Sequence, residues 1–260
     1  MKIATWNING VKARIDNLMR WLSETRPDVV CLQEIKSVDE GFPREAIEGL
    51  GYNVAVHGQK GFNGVAILSL RPFDEVTPRL PGDAADEQSR YLEACISVAG
   101  AALRVAAIYL PIGNPIGTEK FTYKLAWMER LRRHAEGLLG HEEALVLAGD
   151  FNVIAQPQDA YDPAAWLGDA LYQPESRAAF RAFSNLGFTD AIAATHPGGG
   201  HYTFWDYQAG AWAKDHGIRI DHLMLSPQAT DRLRAAGIDR ATRGWDKPSD
   251  HVPVWIDLAL

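Results

Sequence analysis

Apolar runs of strand length recur along this chain, and several are separated by links too short to hold a helix. The segments 52–57 and 64–70 are neighbours of this kind, closed by Arg71-Pro72, as are 91–98 and 103–110, joined across Ala99-Gly100-Ala101. Further runs stand at 3–9, 29–34, 144–149, 202–207, 218–225 and 252–258, rich in residues that suit a pleated, half-buried surface. Strict alternation of strand and helix is absent, which argues against a doubly wound parallel sheet. Helical patterns are few. Ile15, Leu18, Met19 and Leu22 at i, i+3, i+4, i+7 predict an amphipathic helix over 14–25, stopped by Pro27. Others are predicted at 43–50, at 119–139 with Leu125, Met128, Leu131 and Leu138 on its apolar face, at 175–186, and near 227–236. The stretch 155–174, with Pro157, Pro163 and Pro174, has no period and reads as a long loop, a feature often tied to function. The pattern predicts an α/β fold of two packed mixed sheets with helices outside. No Pro/Gly/Ser-rich linker divides the chain, so residues 1–260 are expected to form one domain.

The formal net charge of -7 weighs against a protein that coats nucleic acid without specificity, since such proteins are usually basic. It leaves room for an enzyme that grips phosphates locally, because whole-chain charge governs solubility and steering rather than what one face binds. No apolar run is long enough to span a membrane and no apolar segment follows Met1-Lys2, so a cytoplasmic protein is expected. Cys31 and Cys95 sit inside apolar strand-like runs and are expected as buried free thiols.

Polar clusters stand at the downstream ends of the runs or interrupt them: Asn7, Gln33-Glu34, Asp150 with Asn152, Asp221, and Asp250-His251. Strands side by side would gather these ends into one pocket of carboxylates, carboxamides and an imidazole. That composition suits a hard divalent cation and phosphate ester hydrolysis. Taken singly, each residue has a plainer reading. Glu34 at a strand end is commonly a solvated cap, and Gly149-Asp150-Phe151-Asn152 also describes a turn. Asp221, inside a strand, needs a partner to be buried, and a hydrogen bond to His251 satisfies both. No Ser or Cys stands in a recognisable nucleophile elbow, so an activated water is the expected attacker. Zinc-type Cys/His spacing and glycine-rich nucleotide fingerprints are also absent.

Eight blocks in order, IATWNING (3–10), PDVVCLQEIK (27–36), GVAIL (64–68), IYLP (108–111), LAGDFN (147–152), YTFWDY (202–207), GIRIDH (217–222) and KPSDHVPV (247–254), span the chain. Together they resemble the exonuclease III family of abasic-site endonucleases, within the endonuclease/exonuclease/phosphatase superfamily. The resemblance implies a DNase I-like, four-layered α/β sandwich. It implies Mg²⁺-dependent cleavage of DNA on the 5′ side of abasic sites, with Mn²⁺ as its substitute, and removal of 3′-blocking groups and 3′→5′ exonuclease activity on duplex DNA. A monomer is expected. Superfamily phosphodiesterases acting on inositol phosphates or lipid head groups share the core chemistry, and catabolite-repression-control-like regulators share the fold without the catalysis. The aromatic blocks favour DNA over the first, and the intact polar positions favour an enzyme over the second.

Carried residue by residue, the resemblance makes Glu34 the principal metal ligand, with Asn7, Asp250, Asp150 and Asn152 in or near the metal's shell. Asp150 would orient or deprotonate water, and Asn152 would hold a phosphate oxygen. His251, fixed by Asp221, would stabilise charge on the phosphoryl oxygens, and Tyr109 would stand beside the scissile phosphate. Lys36, Arg90, Asn114 and Lys120 are expected to face the DNA backbone. Phe204 and Ile220, with Trp205, Trp212 and Ile218 nearby, are expected around an apolar pocket for the flipped abasic sugar. Phe204 and Ile218 both depart from residues common in the family, so the pocket's shape is expected to differ.

Overall fold

The computed structural model describes all 260 residues. In chain order the regular elements are β1 (Lys2–Asn7), α1 (Ile15–Thr25), β2 (Val29–Gln33), α2 (Arg44–Glu48), β3 (Asn53–His57), β4 (Val65–Ser69), β5 (Glu75–Pro78), β6 (Tyr91–Val98), β7 (Ala101–Tyr109), α3 (Glu119–Leu139), β8 (Ala144–Asp150), α4 (Pro174–Asn185), β9 (Thr189–Asp190), α5 (Ala191–Thr195), α6 (Ala211–Lys214), β10 (Asp221–Leu225), α7 (Pro227–Thr230), β11 (Leu233–Ile238) and β12 (Val254–Leu258). They form two mixed six-stranded sheets, ordered β11-β12-β1-β2-β4-β3 and β5-β6-β7-β8-β10-β9.

Strand periodicity decides how these sheets stack. Alternate residues point to opposite faces, and here both faces are apolar. Ile3, Val29, Cys31 and Ile67 of the first sheet meet Leu92, Val105, Val146 and Leu223 of the second in one shared core. The intervening residues face outward: Ala4, Trp6, Val30 and Leu32 receive Leu18, Trp21 and Leu22 of α1. On the other side Ala106, Ile108, Leu145 and Leu147 receive Trp127, Met128 and Leu131 of α3 and Phe180 and Phe183 of α4. The result is helix, sheet, sheet, helix: the four-layered sandwich. Full burial of each such side chain contributes about 1.5–3 kcal/mol.

Several local readings of the sequence differ from the structure. Residues 202–207 do not form a strand; only Phe204 bridges to Ile218 and to His251. The Thr203 hydroxyl oxygen accepts from the backbone amides of Ile220 and Asp221, so a side chain takes donors that a strand ladder would pair. The expected helix at 227–236 stops after one turn, and β11 follows as an edge strand paired to β12. Its Arg-Ala-Ala-Gly core has little strand preference of its own and is held by that pairing. In α3 the buried face carries Lys124 and Trp127 beside Met128, Leu131 and Leu138, while Leu125 is only half-buried. The loop 155–174 contains two short 3₁₀ turns, Pro157–Asp159 and Pro163–Trp166. Cys31 and Cys95 are free thiols; Cys31 is buried and Cys95 half-buried.

Candidate active site

Cross-strand register assembles the second sheet's share of the site. Tyr109 of β7 lies opposite Asp150 of β8, and Asp150 lies opposite Asp221 of β10, so three strands present these side chains in one row. Gly149 makes the row possible: a Cβ there would stand 1.9 Å from the Ile108 carbonyl oxygen, so any side chain would push β8 off β7. On the first sheet Asn7 of β1 pairs with Gln33 of β2, and Glu34 follows directly. The chain then turns sharply: Glu34 and Lys36 have φ of 47° and 51°, as does Asn152 at 47° beyond β8. Left-handed backbone at non-glycine residues costs of order 1 kcal/mol each and gathers at functional sites. Backbone bonds hold these turns, among them Gly10 N–H to the Glu34 carbonyl at 2.7 Å and Lys36 N–H to the Asn63 carbonyl at 3.0 Å. The last loop delivers His251. Ser249 Oγ donates to the Asn7 carbonyl at 2.7 Å and accepts from His251 N–H at 3.2 Å, clamping that loop to β1.

Glu34, Asp150 and His251 thereby converge, each offering one ligand atom within 4.8 Å of the others. Asn7 bridges the two carboxylates, its Nδ2 donating to Glu34 Oε1 and to Asp150 Oδ2, both at 2.9 Å. Asp150 Oδ1 accepts from Asn152 N–H at 2.9 Å. Lys36 Nζ pairs with Glu34 Oε2 at 3.0 Å. On the far side of the imidazole, Asp221 Oδ2 accepts from His251 Nδ1 at 2.8 Å and from Thr203 Oγ1 at 2.6 Å.

Burial and charge tune this cluster in opposite directions. Asp150 is fully buried, and burial, aided by nearby Asp221, outweighs the His251 charge and raises its proton affinity well above that of an ordinary aspartate. Burial works against charging His251, but Asp221 and Asp150 outweigh it and hold the ring protonated above the usual histidine range. Burial likewise opposes ionisation of Glu34, yet the Asn7 donor and the Lys36 charge prevail and keep it an anion. Burial and then the Glu34 and Asp150 charges push Tyr109 well above the ordinary phenol range, so it remains a donor. Two carboxylates facing one space suit a hard cation such as Mg²⁺, which binds through one or two carboxylates plus water or phosphate oxygens. An imidazolium beside them serves as a hydrogen-bond donor.

The other expected positions have engagements of their own. Asn7 Oδ1 accepts from the Asn9 N–H at 3.0 Å, which turns its amide nitrogen, not its oxygen, toward the carboxylates. Asn7 is thus a bridge between the Glu34 and Asp150 carboxylates. Asp250 stands outside the three-residue group, its Oδ1 accepting from Asn9 Nδ2 at 3.0 Å. Asn152 directs Nδ2 to the Leu110 carbonyl at 2.8 Å. Arg90 lies over the Tyr109 ring at 4.9 Å, and Lys120 is exposed at the start of α3. Both ends of the Asn114 amide are engaged within the loops, Nδ2 donating to Asp169 Oδ2 and Oδ1 accepting from Ala170 N–H, each at 2.9 Å. Trp205 is wholly buried, donating Nε1 to Asp215, and packs edge-on against Trp212 in a small core of its own. Trp212 is covered in turn by Arg240 and Arg243. Ile220 and Ile218 are buried with Ile154, Ala160 and Leu171, while Phe204 stays partly exposed, its ring 5.0 Å from that of His251.

Sequence reasoning missed Thr203, Ser249 and Asn9, which act by hydrogen bonds alone, and Lys124. Lys124 is fully buried behind Asn152, donating to its carbonyl at 2.6 Å and to that of Ile112 at 3.2 Å. A charge at a core position of a helical period is the signal that marks it. A separate cavity of about 590 Å³ against α3 contains no residue of the cluster. Its arginines are already paired: Arg130 with Asp83 and Asp86, Arg133 with Glu129.

The family model described as the endonuclease/exonuclease/phosphatase family matches residues 4–251. Exodeoxyribonuclease III of Haemophilus influenzae is 32% identical, covering 99% of this chain and 100% of that protein. Two solved structures superpose over the whole of both chains: an AP endonuclease from Archaeoglobus fulgidus, with TM-score 0.93 at 34% identity, and a 3′ phosphatase from Neisseria bound to a product DNA hairpin, with TM-score 0.95 at 33% identity. With its two-sheet sandwich and its acidic cluster at the strand ends, the chain belongs to the endonuclease/exonuclease/phosphatase family, in its exonuclease III branch.

Proposed function

We propose that this protein is a DNA repair nuclease that hydrolyses the phosphodiester on the 5′ side of abasic sites and trims or unblocks 3′ ends of duplex DNA. The convergence of Glu34, Asp150 and His251, with Asp221 behind the imidazole, carries this reading. The relatives named above, an exodeoxyribonuclease III, an AP endonuclease and a 3′ phosphatase, support the substrate class. Glu34 and Asp150 would hold Mg²⁺, with Mn²⁺ as substitute, and the bound cation supplies positive charge near the phosphate oxygens.

The chain's own side chains supply the rest. Asp150, with its raised proton affinity, accepts a proton from an attacking water and, tied to Asn7 and Asn152, aims it. His251 is held as a cation and donates from Nε2 to a phosphoryl oxygen as negative charge grows there. Tyr109 donates beside it, its ring pinned under Arg90. The second N–H of Asn152 and the Lys36 ammonium position other phosphate oxygens, contacts that carry no sequence information. The exposed face of Phe204, next to His251, would meet a sugar that lacks its base, and extrusion is cheapest at such a damaged position. The reading extends to a monomer acting as a single catalytic domain in the cytoplasm; no helix is long and apolar enough to cross a membrane.

The test is a duplex carrying one tetrahydrofuran abasic analogue. Nicking 5′ to the analogue is expected with Mg²⁺ and is abolished by EDTA, and Glu34→Gln should fall by at least about 10² in rate with folding intact. A folded, Mg²⁺-loaded protein that leaves this duplex whole while hydrolysing an inositol phosphate would refute the DNA reading in favour of a small phosphate ester.

A further inference from the structure

A lone His-x4-His pair is no zinc motif in sequence, but on the loop that follows α5, His196-Pro197-Gly198-Gly199-Gly200-His201 folds back so that its two end residues meet. Their rings lie 5.3 Å apart between centroids at an interplanar angle of 66°. The glycines make this return possible. Gly198 and Gly200 have φ of 107° and 83°, which other residues rarely adopt, and a Cβ on Gly199 would stand 2.9 Å from the Gln158 carbonyl oxygen. Neither ring bonds to any residue of the active site.

The hydrogen bonding of His196 fixes which nitrogen is available. Thr195 Oγ1 gives its only proton to the Ala191 carbonyl at 2.7 Å. At 2.8 Å from His196 Nδ1 it must therefore accept, which places a proton on Nδ1 and leaves the Nε2 lone pair open. This is the outer-shell arrangement that orients a metal-binding imidazole. Neither ring nitrogen of His201 has a partner in the protein. Two imidazoles bound through nitrogens about 2.1 Å from one zinc ion at a tetrahedral angle have centroids about 5.3 Å apart, the separation seen here. The two rings also form a common wall between two hollows. One, of about 220 Å³, is lined by Gln156, Gln158, Asp159 and Arg219; the other, of about 280 Å³, by Tyr202, Ile238 and Arg240. Water can reach the remaining coordination positions from both sides.

We propose that His196 and His201 form a binding site for one borderline or soft divalent transition cation, Zn²⁺, Ni²⁺ or Cu²⁺, with water completing its coordination. Imidazole pairs select such ions, whereas the Glu34 and Asp150 carboxylates suit Mg²⁺. The two sites therefore differ in chemistry as well as place. A bound cation would clip the ends of the glycine loop together and hold α5 to the segment leading into Phe204.

The test titrates Zn²⁺ into Glu34→Gln protein in excess Mg²⁺, which suppresses binding at the acidic cluster, and follows the heat. One Zn²⁺ per chain is expected, with affinity falling about tenfold or more in His196→Ala and in His201→Ala, and about tenfold in Thr195→Val. An isotherm unchanged by both histidine variants would overturn the proposal. A second measurement needs no substitution: sub-stoichiometric Ni²⁺ added to the unaltered protein should broaden the ring proton resonances of His196 and His201 ahead of the other histidines. Broadening that spares this pair would overturn it equally.

Discussion

Asp221→Asn changes the charge behind His251 and almost nothing of the shape. Asp221 is fully buried, and its Oδ2 accepts from both His251 Nδ1 and Thr203 Oγ1. The Thr203 oxygen already accepts from two backbone amides, so its proton has nowhere else to go. An asparagine carbonyl can take both bonds, which puts the new NH₂ at Oδ1, an atom with no partner. The variant then buries an unsatisfied donor, at a cost of about 1–3 kcal/mol, and folds. What it loses is the nearest charge holding the imidazole protonated. A general acid or donor lost in this way lowers kcat by about 10²–10⁴, equal to about 3–5 kcal/mol of barrier. If Asp221 acts only through the ring, a double variant with His251→Ala is no slower than His251→Ala alone; independent roles would multiply to about 10⁴–10⁸. Single-turnover cleavage of the tetrahydrofuran duplex, with DNA affinity measured alongside, decides between them. A double variant more than about tenfold slower than its His251→Ala parent refutes the reasoning, as does Asp221→Asn within a few-fold of the unaltered enzyme.

Two other consequences can be measured away from the imidazole. Lys124→Met should keep the packing of α3 but leave the Asn152 and Ile112 carbonyls without their donor, lowering stability by about 1–3 kcal/mol. Because Asn152 then shifts, kcat should fall about tenfold or more with KM little changed; a stability loss with unchanged kcat would make Lys124 a purely structural residue. Burial opposes ionisation of Glu93, but donors from His134, Tyr91 and Arg104 hold its carboxyl down to about 2. The unfolded chain therefore binds more protons over this range, so the stabilisation is complete above about pH 4.5 and is lost as pH falls toward 2, by about 2–3 kcal/mol. Urea midpoints for Glu93→Gln should show a flatter pH dependence over that window, and parallel curves for the two proteins would contradict the assignment.

Where the chain's own chemistry is local, the sequence reads truly. Asn7 and Asp150 end β1 and β8 and Glu34 follows β2, and an apolar run followed by a polar residue states its own orientation; Asp221, expected inside a strand over 218–225, instead opens β10. Residues whose role depends on a distant partner stay silent. Thr203 looks like a strand threonine until the Ile220 and Asp221 amides donate to its hydroxyl and the hydroxyl donates to the Asp221 carboxylate. Trp205, in an aromatic stripe that suggests a binding face, is instead needed to fill a pocket beside Ala211 and Val252. Asn114 has a polar amide in an exposed-looking loop, yet Asp169 claims it from 55 residues away. β11 is the extreme case, a strand made by its neighbour rather than by its residues.

The reactive centre straddles a seam. Asn7 and Glu34 ride on one sheet and the loop into β12 brings His251 from the same side, while Tyr109, Asp150 and Asp221 ride on the other. Interleaved aliphatic side chains such as Val29, Ile67, Val105 and Val146 hold the halves in alignment, joined at the site by the Asn7–Asp150 and His251–Asp221 hydrogen bonds. Truncating one of these opens slack that lets the layers slide, so catalysis should fade at temperatures where both sheets are still intact.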